Sequence, residues 1–258
     1  QPDELKQLSE QLGGKRAAVP AAYARSSLWK DASARPKLRA GVELVRLVRA
    51  VEQTANAGRY QEPAYDGAAG VPGGVSGAGG AAGKAKPRAT PKQDLVATAK
   101  AGLKAAAKDP FLAQRYAFAM VRALFYEKRY DEVIAAVEAQ ATALAAPSSA
   151  LKWRARYYLA GALMRTRQRA RGNLELARIH AGSWELAGPA ANDFRPMEEA
   201  DWRESLRLAG ATKDATKDKV ALWRLIGVTR DGVVAMREIQ KLDARSPLLA
   251  LLMVRELE

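Results

Sequence analysis

The chain carries a single histidine, His180, and no cysteine. Those two counts remove disulfides, thiolate zinc sites and cysteine nucleophiles together. They also leave a histidine metal centre or a serine triad without partners. His180 therefore reads as a structural or solvent-facing residue. Glu198, Glu199 and Asp201 stand close enough for acid–base work. Carboxylates in a first helical turn are more simply explained as partners of the helix dipole. The glycines from Gly73 to Gly83 lack both the preceding strand and the lysine-serine ending of a phosphate loop. No catalytic, cofactor-binding or metal-binding residue is assigned, and the expected protein is not an enzyme.

The other concentration of chemistry is basic. Lys152, Arg154, Arg156, Arg165, Arg167, Arg169, Arg171 and Arg178 share their stretch of chain with one acid, Glu175. Four of these arginines alternate from 165 to 171. If that segment is a turn, their side chains crowd at one edge and form a positive rim able to grip carboxylates or phosphates in pairs of hydrogen bonds. Arg154, Arg156, Arg165, Arg167, Arg169 and Arg171 are the expected partner-binding residues. A solvated, arginine-biased edge is the competing reading.

What must position that rim is the stretch 110–179, which reads as two helical hairpins end to end. Asp109 followed by Pro110 is a cap with proline at the first helical position. Tyr116, Met120, Ala123 and Leu124 fall at helical spacing, with Phe118, Val121 and Phe125 beside them. Glu127-Lys128-Arg129 breaks the pattern. A second helix then opens at Tyr130, with Val133, Ile134, Val137 and Leu144 inward. The second hairpin begins ALKWRARYYLAGALMR and turns at 165–171, with Tyr157 and Tyr158 as core residues.

The run FYEKRYDEVI, 125–134, resembles the turn and second-helix start of the tetratricopeptide repeat, a helix pair of about 34 residues. The second hairpin aligns to it with two departures: Arg169 stands where Tyr130 stood, and Gly172 where the family prefers alanine. Trp223, Ile226 and Gly227, with Leu242-Asp243 further on, make a partial third match. The C-terminal run 221–258 is similar to the end of bacterial helical-repeat proteins to which no activity is attached. The resemblance spans roughly 110–247. It implies stacked antiparallel hairpins in a TPR-like α-α superhelix that holds a protein or peptide on its surface.

The remaining chain fits an all-α protein. Alternating β-branched runs are missing, and alanine supplies much of the 48% hydrophobic content. An N-terminal helical segment, 1–62, contains a short helix over 2–12, a weaker one over 17–29, and a clear amphipathic one over 36–57. The last has Leu38, Val42, Val45, Val48 and Val51 as its stripe. The segment 63–89 is glycine- and alanine-rich and reads as a flexible linker or inserted loop. A helical-repeat domain follows over 90–258. It starts at a Thr90-Pro91 cap and includes a loop at 181–196, a helix over 197–208, and helices over 232–242 and 247–257. Ala-Thr-Lys-Asp occurs twice, at 211–214 and 215–218, as a duplicated turn, with Thr216 capping the next helix. Phe125 and Trp223 are expected core anchors.

The formal net charge is +14, which admits an acidic protein, an anionic surface or nucleic acid as partner. The expectation is a scaffold or adaptor for a protein or acidic peptide. A nucleic-acid-binding helical protein using the basic cluster 152–178 is the alternative, and it lacks a recognised binding motif. The chain begins at Gln1 rather than methionine, so the expectation is that something upstream, a signal segment being one option, has been removed or left out. The compartment is left open, with the periplasm or cell envelope weakly favoured over the cytoplasm.

Overall fold

Two turns with the same unusual backbone set the frame. Lys128 and Arg167 take φ of 61° and 62°, the left-handed region that side chains rarely enter. Around each, the chain leaves a helix in the same way. The Arg129 N–H donates to the Leu124 carbonyl (3.0 Å), and the Gln168 N–H donates to that of Leu163 (2.9 Å). This six-to-one closure satisfies helix-end carbonyls and reverses the chain within a few residues. The expected turn at 127–129 and a turn at 166–168, shorter than the expected 165–171 because Arg165, Arg169 and Arg171 are helical, are thus two copies of one device, 39 residues apart.

The computed structural model describes residues 36–59, 94–145, 149–195 and 198–257. Among them the secondary structure is all helical, with no strand: α1 (Pro36–Arg59), α2 (Leu95–Ala105), α3 (Pro110–Tyr126), α4 (Tyr130–Ala139), α5 (Ala141–Ala145), α6 (Ser149–Arg165), α7 (Arg169–Gly182), α8 (Trp184–Asp193), α9 (Glu199–Gly210), α10 (Ala215–Thr229), α11 (Gly232–Leu242) and α12 (Leu248–Leu257). The expected helices at 2–12 and 17–29, the glycine-rich segment 63–89 and the Thr90-Pro91 start lie outside the described residues.

Packing runs along the chain. α1 lies on α2 and α3, α3 on α4 and α6, α4 on α6, α6 on α7, and α7 on α9 and α10; α11 and α12 close the end on α10. One cluster of buried side chains joins Leu47 and Val51 of α1 to Val96, Val121, Val133 and Leu163. The helix expected within the N-terminal segment therefore shares its core with the hairpins. A second cluster around Leu176, Ile179, Leu222 and Leu225 continues it. A third, small one holds α11 and α12 through Ala235, Ile239 and Leu252. The step between the two turns exceeds the repeat length of about 34 residues, and the five-residue α5 occupies part of the excess. Buried Gln114 fixes α5 by donating to the Leu144 carbonyl at 2.9 Å.

Several expectations need correction. In α1 the buried residues are Leu44, Leu47, Val51 and Ala55, while Val45 is 42% exposed. The expected valines step by three and drift round a 3.6-residue helix; steps of three and four stay on one face. α2 starts at Leu95 behind Asp94, whose carboxylate accepts from the Ala97 N–H at 2.8 Å. The expected 181–196 loop is mostly helix α8, despite Gly188 and Pro189. Tertiary anchors outweigh propensity there. Buried Asn173 holds the Arg195 backbone with two 3.1 Å bonds, Tyr157 donates to Asp193, and Phe194 is inserted at the end. The helix expected over 197–208 is α9, Glu199–Gly210. Phe125 and Trp223 are half-buried rather than enclosed. Phe125 lies among Tyr130, Tyr158 and Arg165, and Trp223 meets Trp202 edge-on at 4.9 Å.

The left-handed turns give a direct test. A non-glycine residue there costs about 1–2 kcal/mol, and glycine returns part of that as chain entropy. Arg167→Gly is expected to stabilise the protein by about 0.5–1 kcal/mol, read as a higher urea midpoint at unchanged slope. A lowered midpoint counts against the turn geometry.

Candidate functional site

The six arginines expected to bind a partner lie on α6, on α7 and in the turn between them, and most are already engaged. Arg165 folds back over the Phe125 and Tyr130 rings at 5.0 and 5.5 Å and donates to the Gly161 carbonyl. Arg169 reaches Glu198 at 3.5 Å and Asp201 at 3.8 Å. Arg171 pairs with Glu138 of α4 at 2.7 Å. Arg154 lies 4.0 Å from Glu185 of α8, and Arg156 lies 2.7 Å from Glu175. Arg167, exposed at the left-handed position, has no ion pair among the described residues. The local charge imbalance is thus offset by acids from distant segments, which a window of sequence does not display. Exposed pairs of this kind are weak, about 0–1 kcal/mol each, and an incoming acid can compete for them.

Beneath the rim lies a buried ionic chain. Glu175 accepts from Arg156 at 2.7 Å and from Arg178 at 2.6 Å. Arg178 continues to Asp218 of α10, its Nε donating at 2.8 Å, and Thr212 donates to the same carboxylate at 2.7 Å. Glu175 is 8% exposed and Asp218 5%. Burial alone would push the Asp218 carboxyl up; hydrogen bonds from Arg178 and Thr212, with the Arg178 and Arg156 charges, hold it below the usual range. This explains the duplicated tetrapeptide better than added loop length does. The first copy is a turn whose Thr212 caps the second copy's Asp218, and that second copy opens α10 at Ala215. Thr216 accordingly lies inside the first turn and not at the cap; Asp214 holds that position.

Tyr126 and Tyr158 share a 2.9 Å hydroxyl contact on the face where α3 meets α6. Burial and the Tyr126 bond push the Tyr158 hydroxyl up to about 12, so it stays protonated. His180 is half-buried with no hydrogen-bond partner at Nδ1. Burial and the Arg224 charge push it down to about 4, leaving it neutral at neutral pH. No group of histidine, cysteine or carboxylate side chains among the described residues could hold a metal ion. No described helix is long and apolar enough to cross a membrane.

The open surface feature is a groove between α2 and α4 with a volume of about 710 Å³. Both helices lie on α3 and do not touch each other. Met120 and Leu124 of α3 form the floor. Lys100, Leu103 and Lys104 form one wall; Glu132, Ala135 and Ala139 form the other. The Glu132 carboxyl is held below its ordinary range, first by hydrogen bonds from Arg129 and further by the Lys100 charge across the groove. Two exposed alanines four residues apart on α4, facing lysines four residues apart on α2, are the sequence signal that would have found it.

No family model, curated protein or solved structure matches the chain. The described fold defines an all-α protein built from helical hairpins with two matched left-handed turns.

Proposed function

We propose that this protein is a non-enzymatic scaffold of TPR-like stacked hairpins that binds a partner protein through a helical segment. The observation that carries the reading is the groove between α2 and α4. Its floor is apolar, its walls carry small residues, and neither wall helix covers it. An amphipathic helix can lay an apolar stripe on Met120 and Leu124, with small side chains against Ala135 and Ala139. Acidic residues on its flank would meet Lys100 and Lys104, which gives orientation and association rate more than affinity. In the same reading the arginine turn, led by exposed Arg167, is a secondary acidic-partner contact at the edge.

A photo-crosslinking residue at position 139 of the full chain, compared with one at position 167, identifies what occupies the groove. The expected crosslinked peptide is helix-forming, with an apolar stripe and an acidic flank. Ala139→Arg fills the groove from an exposed position and is expected to weaken that partner at least about tenfold, with thermal stability nearly unchanged. Unchanged affinity in Ala139→Arg, or capture of duplex nucleic acid with a steep salt slope, overturns the proposal.

A further inference from the structure

Arg224 of α10 poses a separate question. It is half-buried, yet among the described residues it has no acid, carbonyl or aromatic partner, and its Nε is buried without a hydrogen bond. Arg122 also has a buried Nε without a hydrogen bond, but it meets Glu52 at 3.7 Å; half-buried Arg129, Arg156, Arg171 and Arg178 each meet a carboxylate, and Arg115 meets the Phe111 carbonyl and ring. Withdrawing a guanidinium from water without compensation is unfavourable, and proteins keep such a group where something else completes it.

Arg224 lies on the wall of a cleft of about 370 Å³. The cleft sits between the end of α7, the start of α10 and the turn from α11 to α12. Lys217, two helical turns before Arg224 on the same face, Thr216 and the apolar Val220 and Leu248 also line it. Asp243 stands on the lip without an ion pair to either cation, its carboxylate accepting instead from the Arg245 N–H at 3.2 Å. The unpartnered His180 Nδ1 lies close enough for the Arg224 charge to act on it.

We propose that this cleft is a binding site for a small anion, a phosphoryl or carboxylate group held by Arg224 and Lys217. The two cations and the Thr216 hydroxyl supply donors. The planar guanidinium can hold two oxygens at once, and Val220 and Leu248 give a short apolar body a place to rest.

The test is a thermal-shift titration of the full chain with inorganic phosphate, and separately with acetate, against sodium chloride at matched ionic strength. Phosphate is expected to raise the melting temperature by at least about 2 °C at saturation. Arg224→Gln abolishes the rise, and Arg46→Gln, at an exposed arginine of α1 outside the cleft, keeps it. A rise with phosphate alone assigns phosphoryl compounds; a rise with both anions assigns anions in general. Ala181→Trp, which crowds the cleft from its exposed rim, must also abolish the rise. That variant keeps the test decisive should Arg224→Gln fold poorly. No rise beyond chloride, or an equal rise in every variant, overturns the proposal.

Discussion

Replacing Asp218 with alanine is expected to destabilise the protein by about 3 kcal/mol, the low end of the range for breaking a buried ion pair. The low end applies because Arg178 keeps Glu175 at 2.6 Å and its side chain still reaches water at 23% exposure. What is lost is one bidentate partner of Arg178 and the acceptor of Thr212, at the point where α7 packs on α10. Its pH dependence separates this account from a simple packing loss. Asp218 has a depressed carboxyl in the folded state. Its contribution is therefore fully present above the ordinary carboxylate value near 4, and it is lost as pH falls through the lower folded value. Arg178 stays charged throughout. Urea midpoints at pH 6, 4 and 3 should show the wild type losing its advantage over Asp218→Asn as the pH drops. A constant difference between the two would assign the effect to shape rather than charge.

This ionic chain marks the limit of what local sequence reasoning reached. Glu175 stands out as the lone acid in a basic stretch, but its role needs Arg156 of α6, 19 residues earlier, and Arg178 on its own helix. Asp218 sits in a repeated tetrapeptide that looks like spare loop. The hairpins were legible because local signals agree: Asp109-Pro110 caps α3, with the Phe111 and Leu112 N–H groups at 3.1 and 3.2 Å, and the 3.6-residue periodicity is strong. Helix α8 was not legible, because Asn173 and Tyr157, distant in sequence, decide whether a segment holding Gly188 and Pro189 becomes helical. The rim arginines stand at the end of α6, in the short turn and at the start of α7. Their neutralisation by Glu138, Glu185, Glu198 and Asp201 depends on packing between hairpins, which no window reveals. The groove escaped for the same reason: Lys100 and Glu132 belong to helices that meet only through α3.

The second large effect concerns how α1 is held. Tyr116 of α3 is 2% exposed, and its hydroxyl donates to the Ala40 carbonyl at 2.8 Å, joining α3 to α1 across 76 residues of sequence. Its ring lies against Gly102 of α2, where a methyl group would occupy the space of the ring. One side chain thus touches three helices. Tyr116→Ala is expected to cost about 3–5 kcal/mol, the range for removing a buried aromatic. Tyr116→Phe, which keeps the ring and removes the bond, should cost about 1 kcal/mol. Gly102→Ala tests the same packing from the other side. In an open helix interior that change stabilises by about 0.5–1 kcal/mol, and Gly41 of α1, with nothing within 4 Å, should show that gain. At Gly102 the sign should invert, with a loss of about 1–3 kcal/mol as the ring is displaced. Hydrogen exchange locates the damage. In Tyr116→Ala and Gly102→Ala, protection should fall first at Leu44, Leu47 and Val51 of α1, while Leu222 and Leu225 of α10 stay protected until global unfolding. Uniform loss along the chain would mean instead that α1 and the far hairpins unfold as one unit.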